Sequence, residues 1–269
     1  MKRLPVNLNL LLVGALILVL LGGGWFAFSR FINTKSQTQL SEESELVFDL
    51  EGPYALLIPR KDGNALMLNL KRTASYDSIS YELAYNAEGI DRGVVGNLDA
   101  TQKKGEYSQE ILFGTCSKNV CKYDKGVENG TLTLHITKGN QRFRMNTQWH
   151  LQRLDLAKGV ITSGDGHFTY KTTVPTASTD TVTQTYIITN DLSGMPKLPA
   201  GKKVVSKVYA VNLPLTKSLP TGEVSLETAE KLGSTAKVNR YDDSSNGWAE
   251  LSGKSTPSQG IFALLDISK

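Results

Sequence analysis

Histidine and cysteine are scarce in this chain of 269 residues, which has three histidines and two cysteines. So few nitrogen and sulfur ligands leave little material for a metal site, and we expect no cofactor. Lysine and arginine number 30 against 26 for aspartate and glutamate, and the excess is scattered along the chain. A nucleic-acid-binding protein needs a basic stripe or patch, so we expect no nucleic-acid partner.

Charge is absent between Arg3 and Arg30, and within that gap Leu10 to Phe28 reads LLLVGALILVLLGGGWFAF. As a helix this run would reach roughly 28 Å, close to the thickness of the hydrocarbon core of a bilayer. Lys2 and Arg3 form the positive start that both membrane anchors and cleaved signal peptides share. The run therefore fits either a retained anchor or a signal peptide.

Two features separate these alternatives. Leu10 to Leu21 has the length of a signal-peptide core, and the three glycines that follow offer small residues for cleavage. Apolar residues resume from Trp25 to Phe28, however, and tryptophan suits the membrane interface. We favour a single-pass anchor that contacts the bilayer through residues 10–28, in a segment spanning residues 1–32. A lone N-terminal apolar run usually exports the region behind it, so we expect the bulk of the chain to be extracytoplasmic.

The rest of the chain is polar at first and then alternates. Residues 33–45 are polar and lack an apolar period, which is typical of a flexible tether. Beyond them, apolar and polar residues alternate with the period of a half-buried strand. One segment, Ser225–Leu232, instead fits a short helix. The predicted strands are Ala65–Lys71, Ser78–Tyr85, Tyr107–Phe113, Thr131–Thr137, Phe143–Leu151, Phe168–Val174, Val182–Asn190, Lys203–Val211, Thr235–Tyr241, Trp248–Leu251 and Gly260–Ile267.

Many short strands separated by turn residues favour an antiparallel sandwich of immunoglobulin-like size. The sequence thus predicts an all-β fold class, with one N-terminal transmembrane helix followed by one or two such sandwiches. A glycine-containing segment from Leu154 to Gly166 suggests a boundary. We therefore expect the first sandwich at residues 46–155 and the second at residues 156–269.

Cys116 and Cys121 are the two cysteines, in the segment GTCSKNVCKYD. In an exported domain the oxidising compartment favours a disulfide between them. A redox motif more often has two intervening residues, whereas four separate this pair. We predict a structural disulfide that rigidifies a tight loop between two strands.

The histidines do not predict a catalytic triad. His135 alternates with the inward residues Leu134 and Ile136, so it should point outward. If the hairpin turn lies at Gly139-Asn140, His135 pairs near Arg144. By the same register His150 pairs near Asn129, farther along the sheet, and His167 lies in a loop. Because a Ser-His-Asp hydrolase needs its groups in contact, we expect no enzyme.

Two further motifs offer binding sites. Asp242, Ser244 and Asn246 match the start of a calcium loop, but Gly253 stands where its bidentate glutamate belongs. A polar hairpin turn ending in Asn-Gly explains the same residues. The tyrosines Tyr81, Tyr85 and Tyr107 either line an exposed ligand face or pack at the edge of the core.

The segments YELAYNAEGIDRGVVGN and GTCSKNVCKYDKGVENGTLTLHI resemble a family of uncharacterised, membrane-anchored envelope proteins from candidate-phyla bacteria. The likeness covers residues 81–136, with Arg92-Gly93, the cysteine loop and Tyr123-Asp124 as its marks. It implies an exported location and no established activity. The segments VNRYDDSSNGWAEL and GIFALL are similar to the last hairpin and closing strand of bacterial surface β-sandwich modules.

Together these patterns predict a membrane-anchored, extracytoplasmic β-sandwich protein with a structural or binding role at the cell envelope. Its partner there is unknown. A carbohydrate- or polymer-binding module is the alternative, and it would be recognised by a concave face of exposed aromatic rings. An enzyme is less favoured because the sequence offers no cluster of polar catalytic residues.

Overall fold

The computed structural model describes residues 42–46, 50–98, 105–118, 120–153, 156–172, 185–190, 192, 194–214, 222–228, 235–242, 245–252 and 259–267. Within these ranges every regular element is a strand, so the fold is all-β as predicted. The strands are β1 (Ser44–Glu45), β2 (Tyr54–Pro59), β3 (Ala65–Lys71), β4 (Ser78–Ala87), β5 (Ile90–Leu98), β6 (Glu106–Leu112), β7 (Gly114–Ser117), β8 (Val120–Tyr123), β9 (Asn129–Lys138), β10 (Gln141–Arg153), β11 (Val160–Thr162), β12 (Phe168–Thr172), β13 (Thr185–Asn190), β14 (Lys202–Val204), β15 (Tyr209–Asn212), β16 (Gly222–Leu226), β17 (Lys237–Asp242), β18 (Gly247–Glu250) and β19 (Gly260–Ile267).

The predicted strands differ from these in a few places. The predicted strand Lys203–Val211 is divided into β14 and β15, which pair with different partners. The predicted helix Ser225–Leu232 is wrong at its start, because Ser225 and Leu226 pair with β12 as part of β16. Its last four residues lie outside the described residues. The predicted set lacks seven strands of the structure: β1, β2, β5, β7, β8, β11 and β16.

One large sheet organises the described residues. Its strands follow the order β18-β17-β19-β15-β13-β10-β9-β4-β5, with β14 beside β19 and β1 beside β10. Every pairing is antiparallel except that of β1 with β10. The β9–β10 hairpin turns at Gly139-Asn140 and places His135 opposite Arg144 and His150 opposite Asn129, which confirms the predicted register.

Two three-stranded sheets, β2-β3-β6 and β11-β12-β16, pack against the large sheet. Residues of β3 such as Leu68 share a core with the inward side chains of β4, β9 and β10. Phe168 and Tyr170 of β12 share a second core with Tyr209 of β15 and Phe262 of β19. The layered arrangement is that of a β-sandwich, in which each sheet hides its apolar face against another.

Strand β2 reads YALLIP and is buried on both faces. Ala55 and Leu57 point into the core that β4, β9 and β10 share. Tyr54 and Leu56 point the opposite way, into a third core with residues of β15 and β19 such as Ala263. This double burial explains why β2 is a continuous apolar run, a pattern that cannot be recognised by alternation.

The predicted boundary between two sandwiches falls where the large sheet is continuous. Pairing of β10 with β13 joins residues from both sides of it, since Arg153 lies opposite Thr185. Residues 43–269 form one compact unit. The division at residue 155 stays a prediction, and any such division has to accommodate the shared sheet.

The predicted anchor at residues 10–28 lies outside the described residues. Among the residues that are described, no helix is long and apolar enough to cross a membrane. The predicted tether ends earlier than residue 45, because Ser44 and Glu45 pair with Phe143 and Arg144 of β10. Glu43, just before them, lies 2.8 Å from Nδ1 of His135.

Candidate functional site

The structure places the three predicted ligand-face tyrosines inside the molecule. Tyr81 and Tyr85 are only 2% and 5% exposed, because alternate residues of β4 face the core. Tyr107 of β6 is half-buried, and its hydroxyl donates a hydrogen bond to Gln109. The three rings therefore pack at and within the core, and they do not form an exposed aromatic platform.

Tyr85 is nevertheless the start of a polar cluster. Its hydroxyl donates to Oδ2 of Asp124 at 2.9 Å, and the guanidinium of Arg92 lies 3.8 Å from Oδ1 of the same carboxylate. Burial, and then the hydrogen bond to Asp124, raises the pKa of Tyr85 to about 12. Tyr85 is thus a neutral donor at physiological pH. Asp124 accepts its hydrogen bond and lies within ion-pair distance of Arg92.

Aromatic rings of the core pack next to this polar cluster. Tyr85 meets Phe113 edge-on at 5.0 Å between ring centroids, and Phe113 stacks on Trp149 at 5.6 Å. Gly130 lies opposite both Tyr85 and Trp149 in the sheet. A Cβ at Gly130 would stand 2.2 Å from the carbonyl oxygen of Ala84 and 2.3 Å from the Trp149 ring. Only glycine therefore fits between the Ala84 carbonyl and the Trp149 ring.

Next to this cluster, and sharing Tyr85 and Arg92 with it, a shallow cleft of about 400 Å³ lies along β4, β5, β9 and β10. We name it the amide cleft, because Asn86, Asn129 and Gln148 line it together with Asp91 and Thr131. Asn86 donates to Asp91 at 3.0 Å, which orders one wall. Its complete lining is Ala84, Tyr85, Asn86, Asp91, Arg92, Asn129, Gly130, Thr131, Gln148, Trp149 and Gly164.

The side chains that line the amide cleft include both hydrogen-bond donors and hydrogen-bond acceptors, close to one another. Amide side chains offer an acceptor oxygen and two donor hydrogens each, and threonine offers a hydroxyl. Arg92 adds a cation and Asp91 an anion, so the lining has no dominant charge. Such a surface suits a neutral ligand with many hydroxyl or amide groups.

A second cleft of about 520 Å³, which we name the histidine cleft, is lined by His150 together with Asp124 and Glu128. Nδ1 of His150 lies 3.1 Å from the carbonyl oxygen of Thr162 in β11. Because a carbonyl only accepts, neutral His150 carries its proton on Nδ1 and keeps Nε2 as an acceptor. Burial lowers the pKa of His150, against the opposing effects of Thr162 and Glu128.

The three histidines do not meet. His135 pairs with Glu43, His150 is held by Thr162, and His167 lies in an exposed turn where its N–H donates to Asp165 at 3.2 Å. In the described part of the chain, no group of three or more His, Cys, Asp and Glu side chains is placed to hold a metal ion.

Cys116 and Cys121 form a disulfide, as predicted. The two residues lie opposite each other in the β7–β8 hairpin and are both exposed. The turn includes Lys118, which has a positive φ of 48°. The guanidinium of Arg60 stands 5.4 Å from the ring centroid of Tyr123, at the base of the hairpin. The disulfide thus closes a projecting hairpin at its tip.

The predicted calcium residues have other partners where they are described. Asp242 accepts from Arg240 at 3.1 Å, and Asn246 accepts from the hydroxyl of Tyr241. Ser244 lies outside the described residues. Asp242 and Gly247 close a hairpin between β17 and β18, which fits the alternative explanation of a polar turn.

Comparison of the chain with protein-family models, with curated proteins and with solved structures found no match. The resemblance to envelope proteins therefore stays a prediction that rests on residues 81–136.

The sequence prediction named His150 but assigned none of the amide residues to a cleft. Gln148 is an outward residue of the predicted strand Phe143–Leu151. Asn129 precedes the predicted strand Thr131–Thr137 and belongs to β9 only in the structure. Asp124 follows the disulfide hairpin, and Gly164 lies in the turn before β12. Their positions beside those strands depend on long-range packing, for which the sequence has no local signal.

Proposed function

We propose that this chain is a membrane-anchored protein whose immunoglobulin-like β-sandwich fold lies outside the cytoplasm, where it binds a component of the cell envelope. The apolar run at residues 10–28 supports the anchor. The exposed disulfide between Cys116 and Cys121 supports the location, because accessible disulfides persist in oxidising compartments.

The amide cleft is the observation that carries the binding role. It brings Asn86, Asn129, Gln148 and Thr131 to one surface with no dominant charge. Because the predicted aromatic residues are buried, recognition here relies on hydrogen bonds rather than on ring stacking. The ligand class we propose is a neutral polymer rich in hydroxyl or amide groups, which makes carbohydrate binding the specific form of the hypothesis.

The binding hypothesis is tested with the full chain in detergent against an array of neutral oligosaccharides. Gln148→Ala should abolish any binding that the amide cleft provides. Asn146→Ala is the matched control, since Asn146 lies on the same face of β10 but bonds to Thr133 outside the cleft. Equal losses in both variants, or binding to no oligosaccharide, would contradict the proposed ligand class.

The location is tested by protease treatment of spheroplasts that carry a C-terminal tag. Digestion of the tag, with an N-terminal fragment retained in the membrane, is the expected result. Protection in spheroplasts followed by digestion after lysis would place the bulk of the chain in the cytoplasm and overturn the proposal.

A further inference from the structure

Strand β5 is the end of the large sheet. It pairs with β4, and no other described strand lies at its second edge. At nine residues it is the longest of the strands at sheet ends in the described ranges. Such an edge carries unpaired backbone groups that can accept another strand.

The turn that precedes β5 determines which backbone N–H and C=O groups of the strand point away from β4. Glu88 and Gly89 both have positive φ, at 51° and 79°, which is the conformation of a two-residue hairpin turn. Ala87 and Ile90 therefore exchange hydrogen bonds, and the pairing alternates from there. The N–H and C=O groups of the odd-numbered residues, Asp91 to Asn97, consequently point toward the open edge.

The edge has few of the features that usually prevent association, since its charged residues are only Asp91 and Arg92, of opposite sign. Its sequence, IDRGVVGNL, contains no lysine and no proline. Val95 is 77% exposed and Ile90 is 55% exposed. By contrast β6, at the end of its own sheet, carries Glu106 and Glu110.

The strand is complementary to itself. In an antiparallel pair centred on Val94, the open-edge residues match, with Gly93 opposite Val95 and Asp91 opposite Asn97. On the inner face Arg92 falls opposite Gly96, so a large side chain meets a small one. No like charges face each other, and all nine residues find a partner.

We propose that two copies of the chain associate through β5, paired antiparallel about a two-fold axis at Val94. The large sheets of the two copies then form one continuous sheet. Arg92 remains paired with Asp124 of its own copy, so no unpaired charge is buried in the process. The interface is isologous, and it closes after two copies.

The first test measures the mass of the full chain in density-matched detergent by sedimentation equilibrium. As protein concentration rises, the mass should increase from that of one chain, 29.4 kDa, toward twice that value. Val95→Lys should keep the chain monomeric, because it places an ammonium group from each copy near the axis. Val120→Lys is the control, since Val120 is equally open at 74% exposure but lies on the β7–β8 hairpin.

A chain that stays monomeric at every soluble concentration overturns the proposal. A dimer that Val95→Lys leaves intact also overturns it, and places the interface elsewhere. Loss of the dimer in both lysine variants would indicate general charge repulsion and would likewise count against β5.

The register is tested by disulfide trapping under a mild oxidant. In the proposed pair the two Val94 residues face each other in a non-hydrogen-bonded position, with Cα atoms about 4.5 Å apart. Val94→Cys should cross-link faster than Val95→Cys, although Val95 is the more exposed residue. Faster cross-linking at position 95 would contradict the register and indicate random collision.

Discussion

In the large sheet, the part formed by β4, β9 and β10 is buried differently from the part formed by β15 and β19. In β4, β9 and β10, buried residues alternate along much of each strand with residues that are half-buried or exposed. In β15 and β19, nearly every residue is buried, because β2 lies against one face and β12 against the other. The difference shows where binding surface is available. The amide cleft lies on the first part, where Gly164 of the turn before β12 contributes to its lining.

The largest expected effect comes from β2, the strand that packs against both parts of the large sheet. Leu57→Ala and Leu56→Ala each remove a buried side chain, from different cores, and each should lower the free energy of unfolding by about 2–5 kcal/mol. Leu156→Ala, at a residue that is 72% exposed, is the control and should change stability little. Chemical denaturation should show one transition, shifted in both variants. Two transitions, each shifted by only one of the variants, would show that the two cores unfold separately and would favour separate sandwiches.

The next effect tests the packing beneath the amide cleft. Gly130→Ala forces a methyl group against the carbonyl of Ala84 and the ring of Trp149, and it should destabilise the fold by about 1–3 kcal/mol. Gly93→Ala is the matched control in β5, where the nearest atom to an added Cβ is 3.8 Å away. Thermal denaturation of both variants measures this difference in stability. Equal stability of Gly130→Ala and Gly93→Ala would contradict the close packing of Gly130 against Ala84 and Trp149.

A smaller effect is expected from the disulfide, because its hairpin projects from the covered region. Replacing Cys116 and Cys121 by serine should lower the free energy of unfolding by at most about 2 kcal/mol, as loop entropy predicts for so short a loop. In the native protein neither cysteine should react with an alkylating reagent until a reductant is added. Ready labelling of the untreated protein would contradict the disulfide.

The smallest effect concerns the exposed pair Asp62 and Arg60, whose side chains approach to 2.8 Å. The hydrogen bond to Arg60 lowers the pKa of Asp62 to about 2. A depressed carboxyl pKa stabilises the fold above the ordinary value of 3.8, and that stabilisation is lost as pH falls toward 2. Because both side chains are partly exposed, Asp62→Asn should lower stability by less than about 1 kcal/mol at neutral pH.

The pH dependence supplies the check on this last prediction. The difference in stability between the native protein and Asp62→Asn should shrink as pH is lowered below the ordinary carboxyl range. A difference that stays constant through the same range would show that the pair contributes nothing through charge.

The predictability of this fold depended on how each strand is buried. Alternation located β3 with the bounds that the structure has, and Gly139-Asn140 predicted the register of the β9–β10 hairpin. Strand β19 was also predicted with its observed bounds, although both of its faces are buried. Burial on both faces likewise removes the alternation of β2, and that strand was missed. Strand β5 was missed because an edge strand with Gly93 and Gly96 has little apolar pattern to read.

The candidate site was predicted less well, for a different physical reason. The tyrosines of β4 were correctly placed on one face, but the pattern could not say that the face was the core. The amide cleft needs Asn129 and Gln148 from one hairpin and Gly164 from a later turn. Such meetings depend on packing between segments far apart in sequence.

The position of β2 also has a consequence for how the protein is made. Tyr54 and Leu56 are synthesised long before the residues that cover them, such as Ala263. Until β19 is complete, one face of β2 stays exposed, and contacts of such long sequence separation slow folding. From the synthesis of β2 until that of β19, the chain therefore carries an apolar strand with one face uncovered, and a truncation just before Gly260 should leave a product that needs a chaperone to stay soluble.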